Sequence, residues 1–340
     1  MRARITTFFL AAAAVASPVG AQDYTWRWDR ADSYAPIGVQ GDRVLSLGEF
    51  LISYRFQAQE LDGIRLEETE LGIDEVLDIF QSTPYNMTEQ VHRVGVQIAP
   101  MQYLTLMATV PFVQRNMDQV TRQLDLFSTS TSGIGDIEVG ALFNVYEVGP
   151  YKAHVGGAVS VPTGSIEEDG QSAFGSGRLP YSMQLGSGTF DLLPSLTFQA
   201  MNQYGSVGFQ GRGVIRTSEN DSGYTLGNRV EVTSWFAFPI NDQLSFSARM
   251  VWQKWDAISG SDPALDAAVA LIQDPSVFPD LVGGSRLDLP LGLNLNLQNG
   301  PLAGHRVGVE AVFPVSESLD GPQLQQNWTV NFGWQKPLNW

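Results

Sequence analysis

The sequence predicts an all-β fold, a transmembrane antiparallel up-and-down barrel of about twelve strands with short periplasmic turns and long extracellular loops. Three observations predict it. Apolar and polar side chains alternate strictly in many segments, connections alternate between short and long, and a chain that begins with an export signal contains no apolar run fit for a spanning helix.

The elements follow in chain order. Residues 1–21 read as a cleaved signal peptide: basic Arg2 and Arg4, an apolar run from Ile5 to Val15, then the small-residue ending Val19-Gly20-Ala21. Residues 22–44, with Trp26 and Trp28, form an N-terminal segment expected on the periplasmic side or tucked into the lumen, and 45–340 form the barrel. Strands are expected near 45–57, 88–99, 102–114, 134–146, 151–163, 182–200, 207–217, 226–239, 243–256, 285–298, 304–314 and 325–336. Short links such as 99–102, 147–151, 240–243 and 298–301 alternate with long ones at 59–87, 115–133, 164–181 and 257–284.

Arg286 to Gln298, RLDLPLGLNLNLQ, shows what each strand must satisfy. Successive strand side chains point to opposite faces, so this segment carries one face of leucine and one of charge, amide and glycine. Similar columns occur in 103–112, 136–145, 244–253 and 327–335. A closed sheet in lipid calls for this pair of faces, leucines toward acyl chains and polar residues toward an aqueous lumen, because every backbone group is satisfied by a neighbouring strand. The alternative is a soluble β-sandwich with the apolar face turned inward. Trp252, Phe313, Trp328, Trp334 and Trp340 fall on outer faces or near strand ends, where interfacial girdles form.

Composition narrows the function. With no cysteine among 340 residues the protein has neither disulfides nor a thiol site. A net charge of -16 argues against nucleic acid as a partner, because phosphates require basic surfaces. His92, His154 and His305 lack a serine two residues on, so the His-x-Ser arrangement of a barrel phospholipase is missing and an enzyme is not expected.

GIGDIEVGALFNV (133–145), SVPTGS (160–165) and LPYSMQLGSGTFDLLPSLTF (179–198) resemble the outer-membrane barrel family named for the MetA protein of phenol degradation pathways. That resemblance implies a transporter of small, hydrophobic or aromatic solutes, and it brings no catalytic residues and no cofactor. The implied partners are outer-membrane lipid and lipopolysaccharide, a small-molecule solute and the barrel-assembly machinery of a Gram-negative cell.

Lumen-facing charges are expected at Glu49, Arg55, Arg93, Asp136, Glu138, Lys152, Arg212, Glu231, Arg249, Asp288, Arg306 and Glu310. Neighbouring strands suggest the pairs Arg212 with Glu231, Glu231 with Arg249, and Asp288 with Arg306. The charges either fill a narrow barrel as a structural network or guide a solute. Segments 74–80 and 261–273 read as short amphipathic helices, the second capped by Ser261 or Asp262 with Pro263 in its first turn. Their apolar residues Val76, Phe80, Leu265, Val269 and Ile272 either form a funnel at the outer mouth or pack together to close it. Met87, Met117, Met107 and His92 share one hairpin, which raises a soft-metal site for Cu(I) or Ag(I) against plain apolar filling. The acidic run of the first loop, Glu60 to Asp78, is a solvated face or a divalent-cation bridge to lipopolysaccharide. A structural or adhesive barrel with a plugged lumen is the alternative function.

Overall fold

A computed structural model of the chain describes residues 24–339; the signal peptide reading and Trp340 lie outside the described residues. The strands are β1 (Glu49–Glu67), β2 (Thr69–Leu71), β3 (Ser82–Met101), β4 (Leu104–Thr121), β5 (Leu126–Ile134) and β6 (Ile137–Val148). They continue with β7 (Tyr151–Val161), β8 (Asp169–Ser172), β9 (Gly175–Arg178), β10 (Asp191–Asn202), β11 (Gly205–Arg216) and β12 (Tyr224–Thr225). The last are β13 (Arg229–Pro239), β14 (Leu244–Trp255), β15 (Ser259–Gly260), β16 (Gly284–Asn296) and β17 (Arg306–Asn339).

Eleven of them close a ring in the order β1-β3-β4-β6-β7-β10-β11-β13-β14-β16-β17, with β17 pairing back onto β1; β2 and β5 attach outside it. β17 folds back on itself. Its first half, to Leu319, pairs with β16, and the remainder pairs with β1 from Glu67↔Leu319 down to Glu49↔Asn339. Arg306 bonds Gln335 at 2.8 Å and Asn331 bonds Glu310 at 3.1 Å, which ties the two halves together. The wall is therefore crossed twelve times, once more than its strand elements number. All neighbours in the ring are antiparallel, so no edge is left open around the wall.

The faces are inverted relative to a soluble protein. Along β16, Leu289, Leu291 and Leu293 are 39%, 37% and 43% exposed, whereas the flanking Asp288 and Asn294, on the other face, are 3% and 1% exposed. Other exposed residues include Val94, Val96, Leu106, Val139, Val155, Leu196, Phe236, Val309, Phe313 and Phe332; Thr105, Thr197, Gln210, Thr233, Ser247 and Gln335 are buried inside. A sandwich would bury the first set. An apolar exterior around a polar interior is the arrangement that lipid imposes, where inward and outward residues alternate on every strand.

The loop ends depart from expectation. β1, β3 and β4 continue to Glu67, from Ser82 and to Thr121, which is 10, 6 and 7 residues beyond the expected limits. Their extensions are polar on both faces (Gln57, Gln59 and Glu60; Gln114, Arg115 and Asn116), so the alternation fades where the apolar belt ends while the backbone pairing goes on. The expected strand 182–200 begins only at Asp191. Tyr181–Met183 is a 3-10 turn, and Gly188 has φ +71 in the loop that follows. Both expected loop helices are present, as Ile73–Leu77 and as Asp266–Ala270 entered through a 3-10 turn that Asp262 caps by accepting from the Ala264 amide.

Candidate functional site

The lumen is bounded by a plug at the short-turn end and a cap at the loop end. Residues from Arg30 to Leu45 enter the barrel, and Ala31, Asp32, Ala35, Ile37, Val39 and Leu45 are each 3% exposed or less. The wall holds this segment largely by its backbone. Arg55 donates to the Val39 carbonyl at 3.0 Å, Gln210 to Gln40 at 2.9 Å and Gln199 to Asp42 at 2.5 Å, while Arg306 donates to the Ala35 carbonyl. Two glycines make room for Ile37: a Cβ at Gly308 or Gly333 would lie 2.7 or 2.3 Å from its side chain. Trp235 lies against Gly208 and packs on Ala35 and Val39. Arg43 pairs with Glu49 at 2.6 Å, with its guanidinium 5.1 Å from the Trp28 ring centre.

The inward charges use other partners than the sequence suggested. Arg212 and Glu231 are register partners, yet among the described residues neither makes an ion pair within 4.0 Å. Arg249 lies opposite Trp235 and pairs instead with Glu310, at 2.7 and 3.0 Å, reaching across β16 where Gly292 lacks a side chain. Asp288 takes Arg286 at 3.0 Å rather than Arg306, which bonds Gln335 and Asn294 and lies 3.6 Å from Asp42 of the plug. Lys152 pairs with Glu147 at 2.5 Å and sits 4.4 Å from the Trp28 ring centre. Arg93 donates to Gln57 at 3.1 Å; Glu138 makes no ion pair within 4.0 Å among the described residues.

Asp136 is occupied differently. Its carboxylate accepts from the Gly164 amide at 2.9 Å and from the Ser187 amide and hydroxyl at 2.7 and 2.8 Å. The Ser187 hydroxyl oxygen also lies 2.9 Å from the Asp191 carboxylate, which Arg216 holds from β11. The three family-like motifs meet here: Thr163 donates to the Gly135 carbonyl, and a Cβ at Gly164 or Gly186 would strike the opposite backbone at 2.7 or 2.4 Å. Their shared chemistry is a loop clasp at the top of the wall, and Asp136 is a clasp residue rather than a lumenal guide.

At the loop end the apolar residues close on each other. Val76 and Phe80 pack with Ile64, and Leu265 packs with Tyr181, Tyr224, Ile258 and Val277, with Val269 against that cluster. Phe278 joins the two groups and meets Phe80 edge-on at 5.6 Å. No funnel of these five residues forms; Ile272 stands apart, 45% exposed. The physical reason is hydrophobic, since two short helices with one apolar side each lose most water-exposed apolar area by facing one another. Asp274 pins this cap to the wall, accepting from Ser82 at 3.1 Å and Gln119 at 3.2 Å as well as from Ser276. Burial, outweighing those hydrogen bonds, raises its carboxyl above the ordinary range, and burial pushes the Tyr224 hydroxyl up to about 12.

The soft-metal arrangement is split between faces. Met87 and Met117 are register partners inside the wall and pack with Met183 and Leu179, whereas His92 shares the outer face with Val94 and bonds Tyr54 at 2.7 Å. His154 faces inward on the Gly41 carbonyl of the plug at 2.8 Å, and His305 accepts from the Trp334 indole at 2.9 Å. Sequence reasoning had missed two lumen ion pairs, Arg115 with Glu89 at 2.5 Å and Arg216 with Asp191, because both lie above the alternating belt.

No protein-family model matches the chain, and no curated protein sequence matches it. Solved structures are similar in fold. The COG4313 outer membrane channel from Pseudomonas putida F1 aligns with TM-score 0.59 at 12% identity, over 88% of this chain and 99% of that one. The TodX monoaromatic hydrocarbon channel (deltaS2 mutant) aligns with TM-score 0.47 at 10% identity, over 94% of this chain and 100% of that one. For the KdgM porin the values are 0.39 and 10%, over 84% and 98%. At these identities the likeness is one of fold alone, carried by the first of the three: a closed antiparallel β-barrel.

Proposed function

We propose that the protein is an outer-membrane channel, not an enzyme, that passes small solutes passively, with aromatic or otherwise hydrophobic molecules as the cargo class. Export through a cleaved signal peptide, insertion by the barrel-assembly machinery and contact with lipopolysaccharide belong to the same proposal. The observation that carries it is the inverted wall around a lumen where charged side chains such as Arg229 remain exposed. A wall built only for strength would fill that space with paired or apolar side chains. The aromatic cargo class rests on the motif resemblance to the phenol-degradation family.

A second reading is supported by the plug and the cap: a sealed structural or adhesive barrel. Liposome swelling separates the two. Under the channel reading, deletion of residues 24–44, or Gly333→Val, which drives a side chain into the site of Ile37, raises the permeability of proteoliposomes to small neutral solutes. No swelling from the intact chain, the deletion or the valine variant would leave the sealed barrel as the function.

A further inference from the structure

The lumen sorts its arginines into two groups. Arg43, Arg115, Arg216, Arg249, Arg286 and Arg306 each have a carboxylate within 4.0 Å. Arg55, Arg93, Arg212 and Arg229, all on inward faces of the wall, have none among the described residues. The second group is not scattered. Arg55 and Arg93 are direct register partners on adjacent strands, a placement that costs free energy for like charges. Arg212 projects inward from β11, on the opposite side of the ring, into the same lumen.

Hydrogen bonding leaves the same gap. Arg55 spends a donor on the Val39 carbonyl and Arg93 one on Gln57, while Arg212 and Arg229 make no side-chain hydrogen bond among the described residues. A guanidinium has five N–H donors in a planar fork. Most of those donors find no protein acceptor among the described residues. Arg229 stands one step nearer the cap and is exposed although the wall surrounds it, so it projects into open lumen.

We propose that Arg55, Arg93 and Arg212 form an anion site at mid-lumen that takes the carboxylate of a small organic monoanion, with Arg229 as the step that receives it from the cap side. A planar carboxylate matches the guanidinium fork bidentately and relieves the Arg55–Arg93 repulsion. The bordering acids Glu138, Glu231 and Asp42 favour a single negative charge over a dianion. The proposal refines the solute class of the channel reading, but occupancy of the site is independent of passage.

Calorimetric titration of the full chain in detergent with benzoate, benzamide and inorganic phosphate tests it. Benzoate binds at one site, benzamide does not, and phosphate at neutral pH binds more weakly than benzoate. Arg93→Gln and Arg212→Gln each weaken benzoate binding about tenfold or more, the loss expected for a charged hydrogen-bonded partner. Neither substitution breaks an ion pair, so both variants should retain the heat-modifiable gel mobility of a folded barrel. Equal binding of benzamide, stronger binding of phosphate, absence of benzoate binding, or unchanged affinity in both folded variants would overturn the site. Benzoate binding without any swelling or bilayer current would leave the site standing and remove the channel.

Discussion

Arg249 and Glu310 show how a buried charge survives in this lumen. Both are almost wholly buried, at 6% and 1% exposure, and two hydrogen bonds join them while Asn331 takes a further lone pair of Glu310. Removing one partner strands the other charge, a loss of about 3–5 kcal/mol in comparable buried pairs. Glu310→Ala is therefore expected to lower the urea midpoint of the folded barrel in detergent. Paired Arg249→Met with Glu310→Leu should recover most of the loss, because the uncompensated charge is gone. A single variant as stable as the parent would show that the pair is hydrated and not desolvated. The residues themselves were legible: inward charge at 249 and 310 follows from alternation alone. Their pairing was not, because it depends on the register of three strands and on the gap at Gly292.

The cap behaves as a docked unit whose attachment titrates. Asp274 joins the loop between β15 and β16 to β3 and β4, and burial holds its carboxyl above the ordinary carboxylate value near 3.8. The folded cap thus keeps a proton that the opened cap releases. Docking is tightest below the ordinary value and loosens as pH rises through the raised one. Limited proteolysis of the 256–283 loop should accelerate over that interval, and Asp274→Asn, neutral throughout, should flatten the dependence. An unchanged pH profile in the variant would remove Asp274 as the cause. Elements within the apolar belt were readable, since lipid enforces strict alternation on β16 or β14; the expected limits of β16 miss by one residue at its start and two at its end. Above the belt no solvent contrast marks the faces, so β5 and the tops of β1, β3 and β4 carried no signal. The two cap helices were visible as amphipathic segments, but whether they opened or closed the mouth depended on a partner loop some 190 residues away.

At the scale of the whole molecule, one inversion organises the rest: apolar side chains surround the barrel, and charge and plug lie inside it. Putting arginine at Leu291, in the middle of the β16 column, should cost about 2–4 kcal/mol if that column meets acyl chains at mid-depth. The protein carries -16 overall, yet the arginines of the wall point inward, where acids such as Glu89, Asp191, Asp288 and Glu310 largely offset them. The absence of native cysteine makes the decisive measurement clean. Single cysteines at Leu291, Leu293 and Val309, and separately at the inward-facing Ser195 and Gln253, are labelled with a fluorophore and reconstituted in bilayers containing acyl-chain-brominated lipid. The labels at 291, 293 and 309 should be quenched by the lipid and shielded from aqueous iodide, and those at 195 and 253 should show the reverse. Equal quenching at both sets, or iodide reaching the leucine column, would contradict the inverted wall.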